Sequence, residues 1–172
     1  MTRMHKISAG FRTVMAACAP AKRWWPLLAF LVLCGIWCQR HYTIGFNCSP
    51  SLPYRVFLIH KGEPVARGNF VAFRWAGGGP YPAGVTFVKQ VAGVPGDLVT
   101  RKGLAYEVNG WPVGVAKTRS RQGLVLEPGP VGRLPAGRYY VQASHPDSLD
   151  SRYALTGWIE TSQIIGRAHV LF

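Results

Sequence analysis

Three short stretches of this chain carry side chains whose types and spacing can do chemistry. The first is Asn47-Cys48-Ser49-Pro50-Ser51-Leu52-Pro53, where two hydroxyls stand one residue apart in a loop whose backbone two prolines stiffen. Such a loop can aim a hydroxyl, and taken alone it also reads as a Ser/Pro linker. The second is Val85-Thr86-Phe87-Val88-Lys89-Gln90-Val91, followed by Ala92-Gly93-Val94-Pro95-Gly96-Asp97. With a two-residue period Lys89 shares a face with Val85, Phe87 and Val91. Burying an ammonium on an apolar face is expensive unless it becomes neutral. A fall of roughly 3 pH units from the ordinary lysine pKa of about 10.4 makes the amine a usable base near neutral pH. An edge lysine snorkelling to solvent is the structural alternative. The third is Ser144-His145-Pro146-Asp147-Ser148-Leu149-Asp150-Ser151-Arg152-Tyr153, dense in small polar and charged groups. It reads as a hydrogen-bonded loop in which Asp150 and Arg152 pair. His145 near Asp147 and Asp150 keeps a Ser–His–Asp triad open.

The elements that position these residues are short strands. Arg55–His60, Phe70–Trp75, Val85–Val91, Leu98–Arg101, Ala105–Val108, Arg138–Ala143 and Gly166–Phe172 have strand composition and are separated by turn signals such as Pro95-Gly96-Asp97 and Pro128-Gly129-Pro130. Asn109-Gly110, between Tyr106-Glu107-Val108 and Trp111-Pro112-Val113, predicts a hairpin. Residues 116–133 are polar and irregular and predict a surface excursion. A chain of 172 residues has room for one domain with a real core, and this pattern makes it mainly β, a barrel-like or two-sheet body.

Ahead of the strands, Trp24 to Cys38 forms an uncharged run of fifteen residues. That is short of the roughly 20 residues of a full span, but tryptophans sit at both ends, and Arg23 and Arg40 can extend it by snorkelling. No small-x-small site follows that fits a cleaved signal peptide, and Leu33 and Trp37 are too bulky for lipid attachment at Cys34 or Cys38. A retained transmembrane anchor is therefore expected. Arg3, Lys6, Arg12, Lys22 and Arg23 precede the run, and no acidic residue occurs before Glu63. This predicts a cytoplasmic N-terminus with the domain outside. The same distribution accounts for the net charge of +13 without a nucleic-acid partner, because the remaining basic residues are scattered, with only Arg119 and Arg121 forming a small knot. A surface facing anionic lipid fits equally. No Cys/His cluster has metal spacing, and Cys48 has no second cysteine in the domain with which to pair.

Taken in order, the three segments resemble the signal peptidases, most closely the TraF-type peptidases of conjugative plasmid transfer. The nucleophile of that family lies in a segment like Asn-x-(Ser/Thr)-x-Ser-x-Pro just after the anchor, as Ser51 does. Its general base is the lysine of a strand running into a Pro-Gly-Asp turn, as Lys89 is. Ser148-Leu149-Asp150-Ser151-Arg152-Tyr153, Val108-Asn109-Gly110 and Ile165-Gly166-Arg167-Ala168 extend the likeness over nearly all of residues 42–172. Asn69 and Arg55 depart from it, standing where the family usually has Asp and Gly.

The resemblance implies a signal-peptidase-like mainly β domain behind one N-terminal transmembrane helix. It divides the chain into a basic cytoplasmic N-terminus (1–23), an anchor (24–41) and a periplasmic serine–lysine peptidase domain (42–172). It implies Ser51 as nucleophile and Lys89 as base, with an oxyanion hole from the Ser51 N–H and the Ser49 hydroxyl. Ser148 would orient the amine, and Asp150 and Arg152 would brace the loop. No metal or cofactor is implied. The implied partners are a pilin-like or other secreted precursor, the lipid bilayer and other transfer-apparatus proteins; the implied site is the bacterial inner membrane, and the reaction extends to pilin cyclisation. A general leader peptidase and a non-catalytic anchored scaffold or polyanion binder are the alternatives.

Overall fold

The computed structural model describes residues 19–172. Two compact units divide the chain, one ending at Arg40 and the other running from His41 to Phe172. Helix α1 (Ala19–His41) belongs to the first, except for its last residue. Its apolar side chains, among them Trp24, Leu28, Phe30 and Leu33, are exposed. A membrane span is expected over 24–41; among the described residues no helix is long and apolar enough to cross a membrane. The helix has 23 residues, but Lys22, Arg23 and Arg40 lie within it and leave the uncharged run too short. The basic positions Arg3, Lys6 and Arg12 lie outside the described residues.

The second unit is mainly β. Its strands are β1 (Tyr42–Phe46), β2 (Val56–Lys61), β3 (Phe70–Arg74), β4 (Thr86–Gly93), β5 (Leu98–Lys102), β6 (Ala105–Val108), β7 (Trp111–Val115), β8 (Gly132–Arg133), β9 (Arg138–Gln142), β10 (Ile159–Glu160) and β11 (Ile164–Val170). They form a seven-stranded antiparallel sheet in the order β1-β2-β11-β3-β4-β9-β10 and a four-stranded one in the order β7-β6-β5-β8. All seven expected strands are present, with no end moved by more than two residues. The Asn-Gly hairpin is there too: β6 and β7 pair with Val108 opposite Trp111, and Asn109 and Gly110 both have positive φ, as that tight turn demands.

Alternation decides what is buried. In β4, Lys89, Val91 and Gly93 face inward while their neighbours are half-exposed. Val91 packs with Val71, Phe73, Trp75, Val141 and Ile159. The inner face of the small sheet, Val99, Tyr106 and Val108, packs against Leu134, Tyr140 and Tyr153. A third cluster, Leu52 with Phe57, Ile59, Ala72, Ala143 and Ala168, lies next to the serine loop. The segment expected to be a surface excursion differs in part. Ala116 and Leu126 are buried in the core beside the small sheet, and Gly132–Arg133 adds its last strand. Apolar residues spaced ten apart in polar surroundings give no periodic signal.

The closing Ile165-Gly166-Arg167-Ala168 segment has a physical basis. It follows a register shift between β11 and β3, and a side chain at Gly166 would collide with the His60 carbonyl. Arg167 Nη1 reaches Glu63 Oε1 at 3.2 Å, pinning the β2–β3 connection to the sheet.

Candidate active site

Residues 47–55 connect β1 to β2, which pair from Tyr42–His60 to Phe46–Val56. The loop closes on the Asn47 backbone N–H, which donates to Arg55 O at 2.8 Å. Inside it, Asn47 Nδ2 donates to Leu52 O (3.2 Å) and Tyr54 O (2.9 Å). Asn47 Oδ1 accepts from Ser49 N–H (3.2 Å) and Ser49 Oγ (3.0 Å). Leu52 is sunk in the core and carries Ser51 with it, so the Ser51 residue is only 6% exposed. The Ser51 carbonyl accepts from His145 N–H at 3.3 Å and from the Ser144 hydroxyl at 3.4 Å. Its Oγ lies 2.8 Å from Ser49 Oγ.

Lys89 sits in the middle of β4, opposite Val71 of β3, and is 5% exposed. Its Nζ donates to Ser148 Oγ at 2.6 Å and lies 5.7 Å from the Phe87 ring, which stacks on Trp75. Burial pushes its pKa down from 10.5 to about 8; the Asp150 carboxylate acts upward and the Arg152 guanidinium downward. Upstream of Gln90, β4 pairs with β3 and with no strand on its other edge among the described residues. The backbone beside Lys89 is thus an open sheet edge.

The loop after β9 supplies the remaining groups. Asp150 and Arg152 form a buried bidentate pair, with Nε–Oδ1 at 2.8 Å and Nη2–Oδ2 at 2.9 Å. Asp150 Oδ2 also accepts from Ala143 N–H (3.1 Å), while Arg152 donates to the carbonyls of Val115 (3.0 Å) and Ser148 (3.3 Å). The pair therefore ties the end of β9, strand β7 and the Ser148 backbone together, with every charge hydrogen-bonded, as burial requires. Gly129 lies against the Ser151 carbonyl, where a side chain would collide.

The triad geometry is absent. His145 Nδ1 accepts from the Asp147 backbone N–H at 3.2 Å, and the Asp147 carboxylate pairs with Lys117. Asp150, the other candidate acid, is committed to Arg152.

Ser51, Ser49, Lys89 and Ser148 come together through this loop: Ser51 is bonded to residues 144 and 145, Ser148 N–H to His145 O, and Ser148 Oγ to Lys89. The Ser51 and Lys89 side chains share no hydrogen bond; each rests on its neighbouring serine. Catalytic contacts commonly tighten only when substrate binds. A groove of about 630 Å³ opens alongside, walled by Leu52 and Pro53, by Gln90, by Gln142 and Ser144, and by Val115 of β7. Among the described residues no group of His, Cys, Asp and Glu could hold a metal ion.

Two features escaped the sequence reading. Asn47 was visible only as part of a motif, although Asn two residues before a backbone donor is itself a turn signal. The other is a latch around Asp97, whose carboxylate accepts from Val94 N–H (2.7 Å), Arg67 (2.6 Å) and Asn109 Nδ2 (2.8 Å). It explains why a Pro-Gly-Asp turn and an Asn-Gly turn occur together. Trp75 is buried, and Phe46, the last residue of β1, is 71% exposed.

The sequence profile of the family described as "Signal peptidase, peptidase S26" matches residues 20–172. No curated protein matches the chain. Among solved structures it is similar to a signal peptidase I from Enterococcus faecalis V583, with 24% identity, coverage of 64% of this chain and 98% of that one, and a TM-score of 0.42. The profile spans every strand and all but the first residue of the helix, and the chain belongs to the signal peptidase family, peptidase S26, as a serine endopeptidase of the signal-peptidase type.

Proposed function

We propose that Ser51 is the nucleophile and Lys89 the general base of this endopeptidase. The observation that carries the reading is Lys89, a buried lysine whose pKa has fallen to about 8 and whose amine is held by Ser148. Neutral Lys89 takes the Ser51 hydroxyl proton as Oγ attacks the scissile carbonyl, and returns it to the leaving amine as the peptide bond breaks. The oxyanion is held by the Ser51 N–H and the Ser49 hydroxyl. Ser148 orients the amine; Asp150 and Arg152 brace the loop. Water then attacks the acyl-enzyme, and Lys89 cycles a second proton.

The substrate is a precursor protein, which an open β4 edge accepts in extended form. We assign the enzyme to pilin-type precursors in conjugative transfer, on the motifs around Ser51, Lys89 and Asp150. In that setting the new amino end of the substrate can replace water and close a ring. Working as a general leader peptidase is the second reading, favoured by the family match itself. The exposed apolar surface of α1 suits contact with lipid, and we place the enzyme at the bacterial inner membrane, its domain on the periplasmic side where precursors emerge.

The test is processing of a co-expressed precursor by the full chain. Ser51→Ala and Lys89→Ala should each reduce cleavage on the order of 10⁴–10⁶-fold; normal processing by either variant at normal expression refutes the assignment. Mass spectrometry of the product separates the two readings, since a ring is lighter than the linear peptide by one water.

A further inference from the structure

The amide of Asn47 has its orientation fixed by chemistry. Its Nδ2 faces two carbonyls, Leu52 O and Tyr54 O, which can only accept. Its Oδ1 faces the Ser49 backbone N–H, which can only donate. The oxygen is thereby placed 3.0 Å from Ser49 Oγ.

Ser49 has one hydroxyl proton, and two oxygens lie within reach of it: Asn47 Oδ1 and, at 2.8 Å, Ser51 Oγ. Oδ1 can only accept, whereas Ser51 Oγ can donate. One arrangement satisfies both contacts: Ser51 donates to Ser49, and Ser49 donates to Asn47. The reverse leaves Oδ1 and Ser49 Oγ facing each other with lone pairs alone. We infer that Asn47 is a positioning residue that sets the direction of the protons in the serine pair. The inference rests on the assignment of Ser51 as nucleophile and Ser49 as oxyanion donor.

Its consequence is a defined resting state. The Ser51 proton points to Ser49 instead of Lys89, and the Lys89 amine rests on Ser148. When substrate reacts, the developing oxyanion competes with Asn47 for the Ser49 proton, and a charged acceptor outcompetes a neutral amide oxygen. The Ser49 N–H stays on Oδ1 throughout, so the backbone holds still while the hydroxyl swings. Asn47 thus keeps the donor within one bond rotation of its catalytic position.

A double-mutant cycle on the full chain, read as kcat and KM with a peptide substrate, tests this. Asn47→Ala should lower kcat about ten-fold, the loss of one ordered hydrogen bond, with KM little changed. In a Ser49→Ala background the same change should have no further effect. An equal fall in both backgrounds would reduce Asn47 to a plain loop clamp and overturn the inference. Asn47→Ser covers the case in which Asn47→Ala does not fold. Its hydroxyl still accepts from Ser49 but no longer donates to both Leu52 and Tyr54, so kcat should stay within about three-fold of wild type, and a ten-fold fall sinks the idea. Ser51→Ala in the same series separates the two levels: cleavage surviving there removes the nucleophile assignment itself.

Discussion

At pH 6 a base with a pKa of about 8 is neutral in roughly one molecule in a hundred, and at pH 9 in roughly nine of ten. If neutral Lys89, with its pKa of about 8, starts the reaction, kcat/KM of the free enzyme should climb with unit slope through pH 6 and 7 and level off above 8. The rise from pH 6 to 9 should be about 90-fold. A lysine at its ordinary 10.5 would be only about 3% neutral at pH 9, and its profile would still be climbing there. The assay is initial-rate cleavage of a precursor peptide at fixed ionic strength. A flat profile between pH 6 and 9, or a midpoint above 10, refutes the reasoning. The same shift makes a stability claim whose sign can be checked. Between pH 8 and 10.5 the unfolded chain holds a proton at Lys89 that the folded chain has lost, so stability rises with pH across that window. Below pH 8 the folded state carries the full penalty of the buried ammonium, roughly 3 kcal/mol for a fall from 10.5 to about 8. Lys89→Met should accordingly stabilise the inactive protein near pH 7 by up to that amount in urea denaturation, and destabilisation there would contradict the account.

Arg152→Ala leaves the Asp150 carboxylate buried and unpaired, and should lower unfolding free energy by about 3–5 kcal/mol. Because Arg152 acts downward on the Lys89 pKa, any residual activity should have its midpoint above pH 8; a lower midpoint would reverse the electrostatic assignment. His145→Ala should leave kcat/KM within roughly ten-fold of wild type, since its ring accepts from a backbone N–H and no carboxylate orients it. A loss as deep as that of Ser51→Ala would restore the triad.

Much of the domain could be read from the chain because local patterns agree with the fold. A two-residue period put Lys89 with Phe87 and Val91, and the strand keeps it there. Asn109-Gly110 names its own turn. The residues that stayed hidden depend on long-range pairing. β8 and β10 have two residues each, too few to show a period. Asp97 finds Arg67 thirty residues away, a separation that composition does not encode. In the helix, apolar composition and end tryptophans suggest a span, while the charges inside its 23 residues limit the uncharged length. At the candidate site, residue types singled out Ser51 and Lys89, but only geometry shows that each leans on a serine neighbour.

The Asp97 latch has a consequence for how such an enzyme diversifies. Ser51, Lys89 and Ser148 all hang from the seven-stranded sheet and its loops, whereas one wall of the adjoining groove, Val115, belongs to β7 at the edge of the four-stranded sheet. The two sheets meet where Asp97 joins Val94, Arg67 and Asn109, and again where Arg152 bonds Val115 O. The candidate site and one boundary of the groove therefore sit on different sheets, joined by these bonds and by the core that Tyr106 and Val108 share with Tyr140. The outer face and edge of the small sheet can be lengthened or re-sequenced to remodel the wall without disturbing the strand that bears the lysine, provided these bonds and the shared core survive.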